Sequence, residues 1–206
     1  MIAAFVLKRR LRRELARRLK AEEALALQAR TDSLTGLPNR RHFDETLARE
    51  WRRAQRARAP LGLMMIDGDH FKSYNDRFGH QAGDELLCAL ADCIAANTQR
   101  ATDFAARYGG EAFVVLLTGA DAPEAEKLDE RICRAVAAMT DGPSGALLAP
   151  VTVSVGVAHI VPDARAVYQD LLGAADRALF DAKQGGRNRV IAAPPPPALG
   201  KPRLVA

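Results

Sequence analysis

The apolar positions along the chain repeat with two periods, one typical of helices and one typical of strands. Apolar positions at helical spacing, in stretches bounded by glycine and proline, predict five helices. These cover about 8–30, 40–57, 70–97 (broken near 78–80 and 83–84), 122–139 and 166–184. Short apolar runs between turn residues predict five strands. These cover about 61–66, 104–108, 111–117, 151–158 and 189–192.

Two adjacent glycines separate the second and third predicted strands. Gly109 and Gly110 tolerate positive φ, so this stretch predicts a β-hairpin. The order of helices and strands favours an α/β (α+β) layer with a partly antiparallel sheet over a doubly wound sheet. Amino-acid composition and the interruptions between predicted elements indicate three regions. They are a basic helical arm at 1–29, one globular domain at 30–192, and a proline-rich disordered tail at 193–206.

The basic surplus of the chain lies in its N-terminal arm. The whole chain carries +5, whereas residues 1–30 hold nine basic and three acidic groups and therefore carry +6. The remaining 21 basic and 22 acidic groups nearly cancel, which argues against a nucleic-acid-binding surface on the globular domain.

The arm begins with seven apolar residues followed by a basic cluster. Seven residues are too few to span a bilayer, which takes about 20. The arm fits either the cytoplasmic end of a membrane helix or a soluble basic helix, and both interpretations stay open. Its leucines at 7, 11, 15 and 19 could pack against a partner helix. The three cysteines lack metal-ligand spacing and favour a reduced, cytoplasmic setting, with the inner face of the membrane as the alternative.

Charged groups follow the ends of several predicted elements. Asp67 ends the apolar strand, Glu111 follows the glycine hairpin, and Lys183 and Arg187 lie on either side of a Gly-Gly break. If the strand at 61–66 pairs beside the hairpin, Asp67 and Glu111 meet at one edge of the sheet. Two carboxylates suit a hard cation such as Mg²⁺, and the two basic side chains suit a polyphosphate.

Each of these features alone is more often structural. An aspartate after a strand is commonly a turn or cap residue, and a lysine near a helix C-terminus commonly complements the helix dipole. The chain contains neither G-x-G-x-x-G nor G-x-x-x-x-G-K-[ST], so the common dinucleotide and P-loop sites lose support.

Taken together and in order, five segments resemble the GGDEF family of diguanylate cyclases over about residues 30–192. They are 32–43 (DSLTGLPNRRHF), 67–76 (DGDHFKSYND), 79–84 (GHQAGD), 107–113 (RYGGEAF) and 175–188 (ADRALFDAKQGGRN). The resemblance implies a palm-like nucleotidyl cyclase fold, in which helices surround a central five-stranded mixed sheet and a β-hairpin carries the signature loop.

The resemblance also implies the roles of individual residues. The catalytic residues would be Glu111, Asp67 and Lys183. A Mg²⁺ or Mn²⁺ ion would be held by Asp67, the Gly68 carbonyl and Glu111. The substrate GTP would be bound by Phe71, Lys72, Asn75, Asp84, Gly109, Gly110, Lys183 and Arg187. Among these, Asn75 and Asp84 would hydrogen-bond guanine, and the amides near Phe71 and Lys72 would join the two basic side chains at the phosphates.

The implied reaction joins two GTP molecules into cyclic di-GMP and releases pyrophosphate. Each domain would hold one GTP, so a homodimer is expected, with a sensory domain or membrane tether upstream. One departure stands out, because Ala112 occupies a position that is usually acidic in the family. The alternative function is therefore a weak or silent domain that binds GTP or cyclic di-GMP and regulates partners. The presence of Asp67, Glu111, Asn75, Asp84 and Lys183 favours the enzyme.

A second site is implied just before the hairpin. Arg100 and Asp103 resemble the family's R-x-x-D inhibitory site, with five residues between Asp103 and Gly109. A guanidinium can make two hydrogen bonds to a phosphate or to guanine, and Arg131 could add a third charged group. The sequence therefore predicts allosteric inhibition by the product.

Overall fold

The computed structural model describes residues 30–98, 100–119, 122–142 and 145–194. The predicted basic arm at 1–29 and nearly all of the predicted disordered tail at 193–206 lie outside these residues. Among the described helices, none is both long enough and apolar enough to cross a membrane.

A five-stranded mixed sheet forms the centre of the domain. Its strands in chain order are β1 (Leu61–Gly68), β2 (Asp103–Gly109), β3 (Ala112–Thr118), β6 (Val153–Ile160) and β7 (Val190–Ala192). Their spatial order is β2-β3-β1-β6-β7, and the last pair is parallel while the other three pairs are antiparallel. A separate small hairpin consists of β4 (Asp141–Gly142) and β5 (Gly145–Ala146).

Helices cover both faces of the sheet. They are α1 (Arg40–Ala57), α2 (Phe71–Phe78), α3 (His80–Asn97), α4 (Ala122–Ala137) and α5 (Tyr168–Gln184). Apolar side chains of α1 and α5 pack on one face with Leu61, Leu63 and Met65, whereas those of α2, α3 and α4 pack on the other with Met64 and Ile66. Because both of its faces are covered, β1 is apolar at consecutive positions rather than alternating.

Gly156 on β6 lets α5 lie directly on the sheet. A Cβ atom at this position would be 2.1 Å from the backbone nitrogen of Leu179 and 2.2 Å from the carbonyl oxygen of Ala175. Only a residue without a side chain allows two backbones to approach so closely. This contact sets the height of α5 above the sheet, and with it the position of Lys183 in the last helical turn.

The predicted fold class is confirmed, including the five-stranded mixed sheet with surrounding helices. The hairpin forms at Gly109 and Gly110, whose φ angles are +148° and +56°. The helix at 70–97 breaks at Gly79, where φ is +88°, but the second break predicted near 83–84 is wrong. Gly83 is a buried residue inside α3, and the helix continues through it. The β4–β5 hairpin was not predicted.

Candidate active site

Asp67 lies near the end of β1, at one end of the central sheet. Its direct partner across the antiparallel β1–β3 pair is Ala112, so the two side chains project from the same face. That face is covered by α5. The Nζ atom of Lys183, in the last turn of α5, lies 2.8 Å from Oδ1 of Asp67 and forms an ion pair with it. The fold thus joins the carboxylate and the lysine that sequence analysis had assigned to the active site.

Glu111 occupies the turn directly before β3. Its carbonyl oxygen accepts a hydrogen bond from the Gly68 amide at 3.4 Å, and its Cβ atom would be 3.9 Å from a Cβ built at Gly68. The Cβ atom of Glu111 therefore lies on the same face of the sheet as Gly68, whereas that of Ala112 lies on the same face as the Asp67 side chain. Both carboxylates lie at the same end of the sheet, but the residue directly opposite Asp67 is the alanine.

The surroundings of Asp67 disfavour its negative charge. Burial raises the pKa of the Asp67 carboxyl, the hydrogen bond and charge of Lys183 act in the opposite direction, and the charges of Glu111 and Asp69 raise it further. The net result is a pKa above the ordinary aspartate value. A divalent cation would relieve this crowding of carboxylates, and carboxylate oxygens are the ligands that Mg²⁺ prefers. The site therefore fits the predicted cation.

The number of side-chain ligands available to a cation is small. No group of three or more His, Cys, Asp or Glu side chains lies close enough to hold a metal ion within the described ranges. A cation at this end of the sheet would therefore depend on Asp67 and Glu111, on backbone oxygens such as that of Gly68, and on oxygens of the substrate.

Asn75 and Asp84 come together where α2 packs against α3. The Oδ1 atom of Asn75 is buried and accepts no hydrogen bond from the described part of the chain. It lies over Gly83, where a Cβ atom would be only 1.7 Å away from it. Asp84 is the next residue along α3 and is exposed to solvent. The exposed Asp84 carboxylate is an acceptor with two oxygens that suits a ligand carrying adjacent N–H groups, and the half-buried Asn75 side chain lies beside it.

The other predicted substrate residues lie at element ends. Phe71 and Lys72 are the first two residues of α2, and the amides of a first helical turn have no partner within the helix. Phe71 packs against the core, whereas Lys72 is exposed. Gly109 and Gly110 form the exposed tip of the β2–β3 hairpin.

The turn after α5 carries Arg187. Arg187 and Asn188 both have left-handed backbone conformations, with φ of +63° and +45°. The Arg187 amide donates to the Ala182 carbonyl at 3.0 Å, and the Asn188 amide donates to Oδ2 of Asp69 at 3.0 Å. Asp69 lies two residues after Asp67, and its sequence position gave no sign of this contact with the turn.

Arg107 joins the signature hairpin to the segment that precedes α1. Its guanidinium pairs with Asp32 at 2.9 Å and donates to the Gly110 carbonyl at 3.0 and 2.8 Å. Burial acts to raise the pKa of Asp32, but hydrogen bonds from Arg107 and Thr35 outweigh it and lower that pKa. The two motifs were singled out in the sequence, yet this ion pair between them was not predicted.

Arg100, Asp103 and Arg131 lie away from Asp67. Asp103 pairs with Leu117 in the β2–β3 ladder, five residues along β3 from Ala112, or about 17 Å along the strand. The Asp103 amide donates to the Arg100 carbonyl at 2.9 Å. The Arg131 guanidinium bonds to the side chain and carbonyl of Asn97, at the end of α3 and a few residues before Arg100. The three residues therefore belong to one region at the opposite end of the sheet.

Comparisons with known proteins agree with this geometry. The family described as "Diguanylate cyclase, GGDEF domain" matches residues 29–189. The chain is 40% identical over 163 residues to the diguanylate cyclase DgcP of Pseudomonas aeruginosa, covering 79% of this chain and 24% of that protein. It is 38% identical over 169 residues to DgcZ of Escherichia coli, covering 81% of this chain and 54% of DgcZ.

Solved structures show the same fold. The crystal structure of the coiled coil and GGDEF domain of DgcB from Caulobacter crescentus, in complex with c-di-GMP, matches with a TM-score of 0.81 and 36% identity. That match covers 87% of this chain and 94% of the DgcB chain. The chain spans between about a quarter and about half of the curated relatives named above. On the family match and these relatives, the chain belongs to the GGDEF family of diguanylate cyclase domains.

Proposed function

We propose that this domain condenses two molecules of GTP into cyclic di-GMP and two of pyrophosphate, with Mg²⁺ or Mn²⁺ as the cofactor. The observation that carries the proposal is the convergence of Asp67, Glu111 and Lys183 at one end of the sheet. Two carboxylates and an ammonium group, together with the amides of the first turn of α2, form a site for a cation and a polyphosphate.

The base of the nucleotide would lie between α2 and α3. Guanine presents two adjacent donors, its N1–H and its amino group, whereas adenine presents an acceptor at N1. The carboxylate of Asp84 is an exposed acceptor, so it would pair with both guanine donors and repel the adenine nitrogen, and the Asn75 side chain beside it would add a further hydrogen bond to the base. Selection of GTP over ATP follows from this arrangement.

The phosphates would lie between α2 and the turn after α5. The free amides at Phe71 and Lys72 would donate to phosphate oxygens, and Arg187 would add a guanidinium. Lys183 has three donor hydrogens, so it can keep its bond to Asp67 and donate another to a phosphate oxygen. It would thereby fix the distance between the phosphates and the carboxylates.

Asp67, Glu111 and the Gly68 carbonyl would hold the cation. When bound, the cation lowers the free energy of an attacking alkoxide and of the charge that develops on the phosphate. The side chains orient the nucleotide, so that the 3′-hydroxyl of a GTP on a second domain attacks the α-phosphorus and pyrophosphate leaves. Since one domain holds one GTP, the reaction requires a homodimer with facing sites.

Ala112 supports a second candidate function. The methyl group lies directly opposite Asp67, where the family pattern usually has a carboxylate. A domain that binds GTP or cyclic di-GMP without catalysis would act by regulating partners. We favour the enzyme, because both Asp67 and Glu111 remain.

The experiment that separates these functions combines product analysis with binding. Purified protein is incubated with GTP and Mg²⁺, and the products are separated by chromatography, with Asp67→Asn as the control. Calorimetry with 3′-deoxy-GTP, which cannot react, measures binding alone. Cyclic di-GMP from the parent and none from the variant supports the enzyme. Binding without product supports the regulatory domain, and absence of binding to both 3′-deoxy-GTP and cyclic di-GMP contradicts both functions.

We further propose that cyclic di-GMP inhibits the enzyme at Arg100, Asp103 and Arg131. The distance of these residues from Asp67 supports a separate allosteric site, and their proximity to one another supports a ligand with two phosphates and two guanines.

A further inference from the structure

Asp69 is a buried carboxylate that joins three segments of the chain. Its side chain accepts hydrogen bonds from the hydroxyls of Ser154 and Thr152, both at 2.7 Å, and from the Asn188 amide at 3.0 Å. Its own amide donates to the Thr152 carbonyl at 2.9 Å. Only 6% of the residue is exposed. The segment after β1, the start of β6 and the turn after α5 therefore meet at one side chain.

The third of these bonds determines how Arg187 is held. The α-carbon of Arg187 lies between two amides, its own and that of Asn188. The first is bonded to the Ala182 carbonyl and the second to Asp69. With both amides fixed, the backbone of Arg187 has little freedom, and the direction of its Cα–Cβ bond is set.

The backbone of this turn also needs such support. Arg187 and Asn188 adopt left-handed conformations in succession, with φ of +63° and +45°. Residues with side chains visit this region uncommonly, and arginine has no special tolerance for it. A turn of this kind persists only when surrounding contacts hold it. The hydrogen bond from the Asn188 amide to Asp69 is one of those contacts, and Asp69 lies two residues after Asp67.

We propose that Asp69 is a positioning residue, which holds the turn after α5 so that Arg187 is directed to the phosphates of GTP. The inference rests on the proposed function, because it takes Arg187 as a phosphate ligand. Asp69 does not contact the nucleotide itself and acts through the Asn188 amide. This role explains why a buried carboxylate stands here rather than an apolar residue.

A simpler role would be structural, with Asp69 only fastening β6 to the rest of the sheet. The two roles can be separated by removing the hydrogen bonds of Asp69 one at a time. Ser154 and Thr152 donate to the same carboxylate, and within the described part of the chain neither forms a hydrogen bond with the turn at 185–188. Loss of a hydroxyl at either position should lower stability without affecting the nucleotide, whereas loss of the carboxylate should affect both.

The test is calorimetric binding of 3′-deoxy-GTP in Mg²⁺ to the full chain and its variants. Asp69→Ala should weaken binding about tenfold. Asp69→Asn should stay within about threefold of the parent, since its oxygen can accept from Thr152 and Asn188 while its amide donates to the Ser154 hydroxyl. Ser154→Ala and Thr152→Val are the matched controls and should also stay within about threefold.

A double variant tests whether Asp69 acts through Arg187. Asp69→Ala combined with Arg187→Ala should bind no more weakly than Arg187→Ala alone. Parent-like binding by Asp69→Ala, or an additive loss in the double variant, would overturn the proposal.

Hydrogen exchange on the parent gives a second test that does not depend on the nucleotide or on folding of Asp69→Ala. The Asn188 amide should exchange at least about tenfold more slowly than an unstructured peptide, although the residue is exposed. Fast exchange would show that Asp69 does not hold the turn, and it would overturn the proposal. If the parent binds no 3′-deoxy-GTP, the proposed function fails, and the exchange rate still decides whether Asp69 fixes this turn.

Discussion

Gly83→Ala should weaken guanine binding while leaving the fold intact. A Cβ atom at Gly83 would be 1.7 Å from Oδ1 of Asn75 and 2.8 Å from its Cγ, whereas real Cβ atoms essentially never come closer than 3.0 Å. The Oδ1 atom must therefore retreat by at least 1.3 Å, the difference between 3.0 and 1.7. Because the atoms in conflict are the far end of a side chain, Asn75 can move without displacing either helix.

The expected magnitudes for stability and binding differ. In a helix, alanine is more favourable than glycine by up to about 1 kcal/mol, so stability should be unchanged or slightly raised. A displacement of 1.3 Å stretches a hydrogen bond from about 2.9 Å to about 4.2 Å, beyond the range of such bonds. A polar group of guanine is then left without its partner on Asn75. That costs about 1–3 kcal/mol, or about five- to 150-fold in affinity.

The assay pairs thermal unfolding with calorimetric binding of 3′-deoxy-GTP. Gly173→Ala is the matched control, because Gly173 also lies within a helix and its Cβ would meet only the tip of Arg177, at 3.2 Å. The control should keep the affinity of the parent. A Gly83→Ala protein that unfolds like the parent and binds 3′-deoxy-GTP equally well would refute the placement of guanine beside Asn75.

Three further predictions concern the carboxylates and the second site. Ala112→Glu should raise the turnover rate about tenfold, or about 1.4 kcal/mol of barrier, because the new carboxylate starts on the face of Asp67; a rate equal to the parent's would show that Asp67 and Glu111 suffice. Asp67→Asn should abolish turnover yet raise the melting temperature at pH 7 in metal-free buffer. The pKa of Asp67 is raised in the folded state, so the parent loses stability as the pH rises from the ordinary aspartate value through the folded-state pKa. The higher melting temperature of the variant should therefore disappear below the ordinary pKa of aspartate. A difference in melting temperature that does not depend on pH would contradict this explanation. Arg100→Ala should weaken calorimetric binding of cyclic di-GMP at least about tenfold and relieve inhibition, with GTP affinity unchanged; undiminished binding would remove Arg100 from the second site.

Local sequence patterns were sufficient to predict most elements of the fold. The apolar run of β1 and the Gly109-Gly110 turn each depend on neighbouring residues, so their structures followed from short stretches. Gly83 shows where this approach fails. A glycine in a helical stretch is expected to weaken the helix, but here it makes room for Asn75, which belongs to another helix.

The supporting contacts of the site could not be predicted, because they join distant parts of the chain. The partners of Asp69 lie 83, 85 and 119 positions away, and Arg107 and Asp32 are 75 positions apart. Segment motifs indicated which residues belong near the nucleotide, but no spacing along the chain indicated which side chain holds another in place.

The central claim is that the site at this end of the sheet condenses two GTP molecules. The most direct measurement is the stoichiometry of the reaction products. Mass spectrometry of cyclic di-GMP and an enzymatic assay of pyrophosphate would be run on the same reaction, over a series of protein concentrations. We expect two pyrophosphates for each cyclic di-GMP and a specific activity that rises with concentration, since two domains must meet. GTP that remains unconsumed at every concentration with Mg²⁺ or Mn²⁺ would contradict the claim.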